Sequence, residues 1–278
     1  MLQDMAVGRL ENEFRNIAAR AEDIILCFHD GQVLLRRDAD DALTLPTLSQ
    51  LGATEAPRYV FRLQEKNYFL WTDREPAACQ GFVYEPVRQL RQLQSKEICF
   101  GIMTGWHLFN WYRNNRLCGG CGAETVHDEK ERMLRCPVCG NMIFPRISPA
   151  VIVAVTNGDK LLLSKYAGRA YTRYALLAGY TEIGETIEQT VHREVMEEVG
   201  LKVKNLRYYK SQPWGVDGNV LMGFYCDVDG SDSIRIDENE LSMADWFPRD
   251  ALPTQDDGIS LTREMIRTFG EGKEPKNL

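Results

Sequence analysis

Between Gly179 and Leu201 the chain reads GYTEIGETIEQTVHREVMEEVGL. A glycine-bounded loop holds Glu185, and the segment after it carries Arg193, Glu194, Glu197 and Glu198 before closing at Gly200. Thr186 followed by Gln189 is a capping-box pattern, which predicts a helix from Ile187. Val191, Val195 and Val199, with Met196 beside them, make an apolar face. Glu194, Glu197 and Glu198 are spaced i, i+3, i+4 and gather on another face. Gly200 suits the left-handed position that ends helices. One reading is a solvated acidic face, which is what most charge runs are. The other is a set of oxygen ligands for divalent cations that hold a diphosphate. Like charges at i,i+4 oppose helix formation, and a glycine-bounded loop is unusual for plain surface. Spacing alone leaves both readings open.

The second chemical grouping is Cys118-Gly-Gly-Cys121, then fourteen residues, then Cys136-Pro-Val-Cys139. Two such knuckles each present two thiolates to one ion and close a tetrahedral zinc site. Gly119, Gly120, Gly122 and Gly140 give the backbone freedom that tight knuckles need. A disulfide or a redox C-x-x-C fits less well, because duplicated knuckles match zinc better than one reactive pair. Four cysteines fill the coordination sphere, so this zinc is structural, not catalytic. From Arg113 to Arg146 six Lys or Arg face four acids, an ordinary surface balance that favours a structural ribbon over a nucleic-acid reader.

The acidic segment resembles the Nudix box, G-x5-E-x7-R-E-U-x-E-E-x-G-U, at every specified position. The matching residues are Gly179, Glu185, Arg193, Glu194, Val195, Glu197, Glu198, Gly200 and Leu201. The resemblance implies a Mg2+- or Mn2+-dependent enzyme that cleaves nucleoside diphosphates linked to another group, on an α/β/α sandwich. It gives Glu198 the metal-and-base role, Glu194 and Glu197 further metal ligation, and Glu185 with Arg193 an orienting ion pair. The carbonyl of Ala178 is a further ligand as in relatives, and Glu240 in DENELSMADWF is the later acid expected to complete the site.

The order of N-terminal domain, four-cysteine ribbon and Nudix domain is similar to the NADH pyrophosphatase (NAD diphosphatase) subfamily over nearly the whole chain. Ser211-Gln212-Pro213-Trp214 matches the start of that subfamily's second signature, S-Q-P-W-P-F-P-x-S. Phe144, at the junction with Pro145, and Tyr180 stand where relatives sandwich the nicotinamide ring, and Gln212 and Trp214 of the signature join them as expected substrate-binding residues. Stacking on planar rings suits a dinucleotide. For Phe144 and Trp214 the plain alternative is core packing. After Trp214 the chain departs from the signature, reading Gly-Val-Asp-Gly-Asn, and two added glycines predict a looser loop. The leading expectation is hydrolysis of NAD(H) to nicotinamide mononucleotide and AMP, with removal of NAD caps from RNA as the same chemistry on a larger substrate. A broader ADP-ribose or dinucleoside polyphosphate hydrolase is the alternative enzyme. A binding-only module is disfavoured by the complete set of carboxylates. The resemblance also implies a homodimer.

These groups need a scaffold, and the fold class expected is α+β multidomain. It comprises an N-terminal α+β, Nudix-like domain (1–112), the ribbon (113–143) and the Nudix sandwich (144–278). In the first, Asp23–Arg36 reads as a hairpin about Asp30–Gly31, and Arg58–Leu63 with Tyr68–Trp71 as a second. From Ser95 the spacing turns helical, with Ile98, Ile102, Trp106, Phe109 and Tyr112 as the expected packing stripe. Ala150–Val155, Lys160–Leu163 and Tyr174–Leu177 read as strands that lead into the glycine loop.

The 278 residues are 44% apolar and 26% charged, an ordinary soluble balance, and the net charge of −7 argues against broad nucleic-acid binding. No run of about 18 apolar residues suggests a membrane span, and no export signal is evident at the N-terminus. Cys27, Cys79, Cys99 and Cys226 read as free thiols, so a cytoplasmic protein is expected.

Overall fold

The computed structural model describes residues 1–4, 9–40, 42–52, 56–73, 75–92, 96–168, 172–253 and 258–276. Ser95, the expected start of the helical spacing, and Leu278, the expected domain end, lie outside the described residues. The chain forms two compact units. One comprises Leu2–Ile147 with Trp214–Gly218, and the other Met1, Ser148–Pro213 and Asn219–Leu278.

The first unit begins with strands β1 (Leu10–Glu11), β2 (Ile24–Leu26), β3 (Phe28–His29), β4 (Gln32–Arg37) and β5 (Leu43–Thr44). A one-turn helix α1 (Leu48–Leu51), strands β6 (Arg58–Leu63), β7 (Lys66–Leu70) and β8 (Val83–Pro86), and the long helix α2 (Lys96–Asn114) follow. Strands β9 (Val126–His127), β10 (Leu134–Arg135) and β11 (Met142–Ile143) make the small antiparallel ribbon sheet.

The hairpin about Asp30–Gly31 joins β3 to β4, with φ of 44° and 79° at the two turn residues. Ile24–Leu26 is not its first arm. That stretch instead runs parallel to β7, pairing Ile24 with Tyr68 and Leu26 with Leu70. The β6–β7 hairpin turns tightly at Gln64 and Glu65, both at positive φ.

Helix α2 buries Cys99, Ile102, Met103, Leu108 and Trp111, and of the expected stripe only Ile102 is fully buried. The reason is a glycine notch. A Cβ at Gly105 would meet Leu26 at 2.2 Å, and one at Gly101 would meet Leu63 at 3.2 Å. Bare backbone therefore sets which face approaches the strands.

In the second unit, β12 (Ser148–Asn157), β13 (Lys160–Tyr166) and β14 (Leu177–Tyr180) precede helix α3 (Ile187–Val199). Strands β15 (Val203–Trp214), β16 (Asn219–Val228) and β17 (Leu241–Pro248) and helix α4 (Leu261–Gly270) complete it. The sheet order is β15-β16-β12-β13-β17, and β14 also pairs with β12. Strand β12 runs parallel to β16 and antiparallel to β14 and β13, so the sheet is mixed.

Alternation along β12 sends successive side chains to opposite faces. Val151, Val153 and Val155 pack with Val191, Val195 and Val199 of α3. Ile152 and Ala154 pack with Leu261, Met265, Ile266 and Phe269 of α4. The result is an α/β/α sandwich. Each buried valine stabilises by roughly 1.5–3 kcal/mol, whereas like charges at i,i+4 cost about 0.2–0.5 kcal/mol. Packing therefore wins, and α3 tolerates its glutamates. Among the described residues no helix is long and apolar enough to cross a membrane.

Candidate active site

Helix α3 starts at Ile187 because Thr186 caps it. The Thr186 hydroxyl accepts from the Gln189 amide, and the Gln189 side chain accepts from the Thr186 amide. Gly200 ends it at φ 69°. Between these caps Arg193 is the hub. Its Nε and Nη2 donate to Glu185 Oε1 and Oε2 at 2.6 and 2.9 Å. Its Nη1 donates to Glu194 at 2.7 Å and to Glu197 at 2.9 Å, and its Nη2 also reaches the Tyr180 carbonyl at 2.9 Å. Bidentate pairing of this kind fixes both partners in one plane.

Glu185 also accepts from the Glu182 amide and the Thr190 hydroxyl; Arg193 chiefly, then the Glu182 amide and the Thr190 hydroxyl, hold its carboxyl down to about 2. The guanidinium is correspondingly pushed up, chiefly by Glu185. Burial raises the Glu194 carboxyl, with Arg193 opposing and the charges of Glu197 and Glu240 adding to the rise. The charge of Glu240 thus acts on Glu194, although its own side chain is exposed.

Glu198 is the most enclosed of the group, 2% exposed, and accepts from the Ala178 amide at 3.3 Å. Glu197 stays exposed. Gly179 explains itself: an added Cβ would fall 1.9 Å from the Glu194 carboxyl carbon, so only glycine leaves that carboxylate its place. This contact and the Thr190 hydroxyl are parts of the site that sequence reasoning missed. Only the box's fixed glycine hinted at the first.

The ribbon thiols converge. The Sγ atoms of Cys118, Cys121, Cys136 and Cys139 all lie within 4.8 Å of one another, at 3.6 Å for Cys118 to Cys139 and 3.4 Å for Cys121 to Cys136. A tetrahedral ion with sulfur ligands near 2.3 Å spaces them about 3.8 Å apart, so the cage fits zinc. The knuckles repeat each other. Gly122 and Gly140 sit at φ 77° and 74°, and their amides donate to the carbonyls of Cys118 and Cys136. The Gly120 amide, followed by that of Cys121, lowers the Cys118 thiol to about 6. Among the described residues these thiols are the grouping whose ligand atoms close to 4.8 Å, while the glutamates are arranged about Arg193.

The expected substrate residues are placed differently. Tyr180 and Phe144 are half exposed, Tyr180 in the second unit and Phe144 in the first. Trp214, in the first unit, is partly buried and donates from Nε1 to Asp217 at 3.1 Å. Gln212 is fully buried and both ends of its amide serve backbone: Nε2 donates to the Ile259 carbonyl and Oε1 accepts from the Leu261 amide, each at 2.8 Å.

The loop after Trp214 spends its glycines otherwise than expected. A Cβ at Gly215 would strike the Met103 carbonyl oxygen at 2.2 Å, and Gly218 makes the turn at φ 71°. Asp217 also accepts from Arg88 at 2.6 Å. The glycines here answer a close backbone approach and a tight turn.

A separate cavity of about 440 Å³ in the first unit is lined by Arg15, Arg20, Asp23, Arg62, Lys66 and Asn67 among others. Glu11 neutralises two of its cations, Arg15 and Arg62. It gathers no reactive grouping.

A Nudix domain model matches residues 146–269, and the NADH pyrophosphatase zinc ribbon domain matches residues 113–144. The chain is 35% identical over 246 residues to the NAD-capped RNA hydrolase NudC of Pseudomonas aeruginosa, covering 86% of this chain and 84% of that protein. To the NAD-capped RNA hydrolase NudC of Pectobacterium atrosepticum it is 38% identical over 190 residues, 68% of this chain and 72% of that one. The chain belongs to the NADH pyrophosphatase subfamily of the Nudix hydrolases. As a Nudix hydrolase it is a pyrophosphohydrolase, and its ribbon is a structural zinc site.

Proposed function

We propose that this chain hydrolyses the pyrophosphate bond of NAD(H) to nicotinamide mononucleotide and AMP, and makes the same cut in NAD-capped RNA. The observation that carries the reading is the complete box, with its carboxylates ordered around Arg193, in one chain with a pyrophosphatase-type ribbon. The relatives named above support the substrate.

Glu194, Glu197 and Glu198, the Ala178 carbonyl and Glu240 would hold divalent cations. All are hard oxygen donors, and Mg2+ or Mn2+ is the matching class. When bound, such ions neutralise the diphosphate and acidify water. The residues do the rest. Glu198, enclosed and oriented by the Ala178 amide, takes a proton from the attacking water on its carboxylate. The water oxygen bonds to phosphorus, the bridging P–O bond breaks, and the departing phosphate leaves as the second mononucleotide. Arg193 and Glu185 keep Glu194 and Glu197 in position.

Phe144, Tyr180 and Trp214 offer aromatic faces to the rings of the dinucleotide. Gln212 acts through the segment it anchors, Ile259–Leu261. We also infer a homodimer, supported by exposed Val138, Met142, Phe144 and Ile147 on and beside the ribbon, and a cytoplasmic location, supported by the free thiols. The domain limits we adopt are 1–112, 113–143 and 144–278.

The test is a panel of NADH, NAD, ADP-ribose, diadenosine polyphosphates and NAD-capped RNA, with product masses recorded. Nicotinamide mononucleotide and AMP from NADH or NAD are expected, and a 5′-monophosphate RNA from the capped substrate. Turnover confined to ADP-ribose or the diadenosine compounds would replace this reading with the broader hydrolase.

A further inference from the structure

Tyr180 is held at two points. Its carbonyl accepts from Arg193, and its hydroxyl accepts from Asn219 Nδ2 at 3.2 Å. Asn219 opens β16 directly after the turn at Gly218 and is only 7% exposed. The two residues stand on the strands that flank β12. Asn219 is level with Ser148, and Tyr180 is level with Ala150. Residues in register share a face, and Ser148 and Ala150 are two apart, so all four side chains lie on one side of the sheet. The small side chains of Ser148 and Ala150 leave room for a phenol to lie across β12 and reach the amide on the far strand.

The amide comes at a cost. Asn219 Oδ1 is buried without a hydrogen-bond partner, and a buried polar atom left so is unfavourable. Turning the amide over preserves a bond to Tyr180, with the phenol then donating, and leaves the nitrogen short instead. An apolar residue would fill the position at less cost, so packing alone does not account for asparagine here.

We propose that Asn219 is a positioning residue for Tyr180, fixing the half-exposed ring as a preorganised stacking surface for a ring of the dinucleotide. This rests on the reading above that Tyr180 meets the substrate. Preorganisation acts mainly on binding, because a ring already held loses less freedom when the substrate arrives.

The test uses Asn219→Ala, Tyr180→Phe and the double variant, with kcat and KM for NADH measured on each full-length protein. Each single variant is expected to raise KM about 3- to 10-fold, the size of one neutral hydrogen bond, with kcat changing less. The double variant should be no worse than either single one, since both remove the same bond. Additive losses, or an unchanged KM in Asn219→Ala, would overturn the proposal. Tyr180→Phe keeps the ring and Asn219, so a folding defect peculiar to Asn219→Ala is recognised by its absence there. Wild-type protein that fails to cleave NADH would strike the substrate reading instead.

Discussion

Charge at this site is arranged around a single guanidinium. Arg193 touches three carboxylates and one carbonyl, and this pairing adds to the packing that lets α3 carry its glutamates. The Glu185 carboxyl, lowered from 4.5 to about 2, makes this measurable. A depressed carboxylate contributes stability that is fully present above the unfolded value and lost as pH falls through the folded one. Stability measured by urea unfolding should therefore decline between about pH 4.5 and 2, and Glu185→Gln should flatten that decline. Gly179 makes a second test. Alanine there would drive the Glu194 carboxyl from its place, and misplacement of about 1 Å costs on the order of 100-fold in rate. Gly179→Ala should lose activity to that extent while its unfolding midpoint moves little.

Helix α3 was legible because its capping box, apolar face and closing glycine are local signals, and Ile187 and Gly200 fall where those signals put them. Helix α2 was legible in place but not in orientation. Its burying face is set by Gly101 and Gly105, which carry no apolar side chain to count. Strand β2 lies inside the stretch that reads as a hairpin yet pairs elsewhere, because its partner, β7, is some forty residues on and leaves no periodic trace nearby. Gln212 sits in a signature that suggests substrate, yet its amide is spent on the backbone at the start of α4. Chain-local patterns do not report such long-range bonds. The ribbon makes the clearest prediction among the elements. The protein as purified should carry one zinc per chain by atomic emission, and Cys136→Ser should lose it. Loss of zinc should lower the thermal midpoint, since the metal's binding energy is folding energy for such a small sheet.

Seen entire, the chain divides its labour between two units. The second holds the carboxylates and Arg193, and the first holds the zinc cage with Phe144 and Trp214. The box fixes the class of reaction, while the proposed NAD-type substrate draws its support from the ribbon and the relatives. Of the individual residues, Glu198 bears the most weight: it is enclosed and fixed by the strand beside it, and the proposed mechanism gives it both metal and proton. The most direct measurement is NADH turnover in saturating Mg2+ by Glu198→Gln, an isosteric change that removes the charge and the base. A loss on the order of 10²–10⁴-fold is predicted, with circular dichroism and zinc content matching the wild type. Turnover within ten-fold of the wild type would contradict the account.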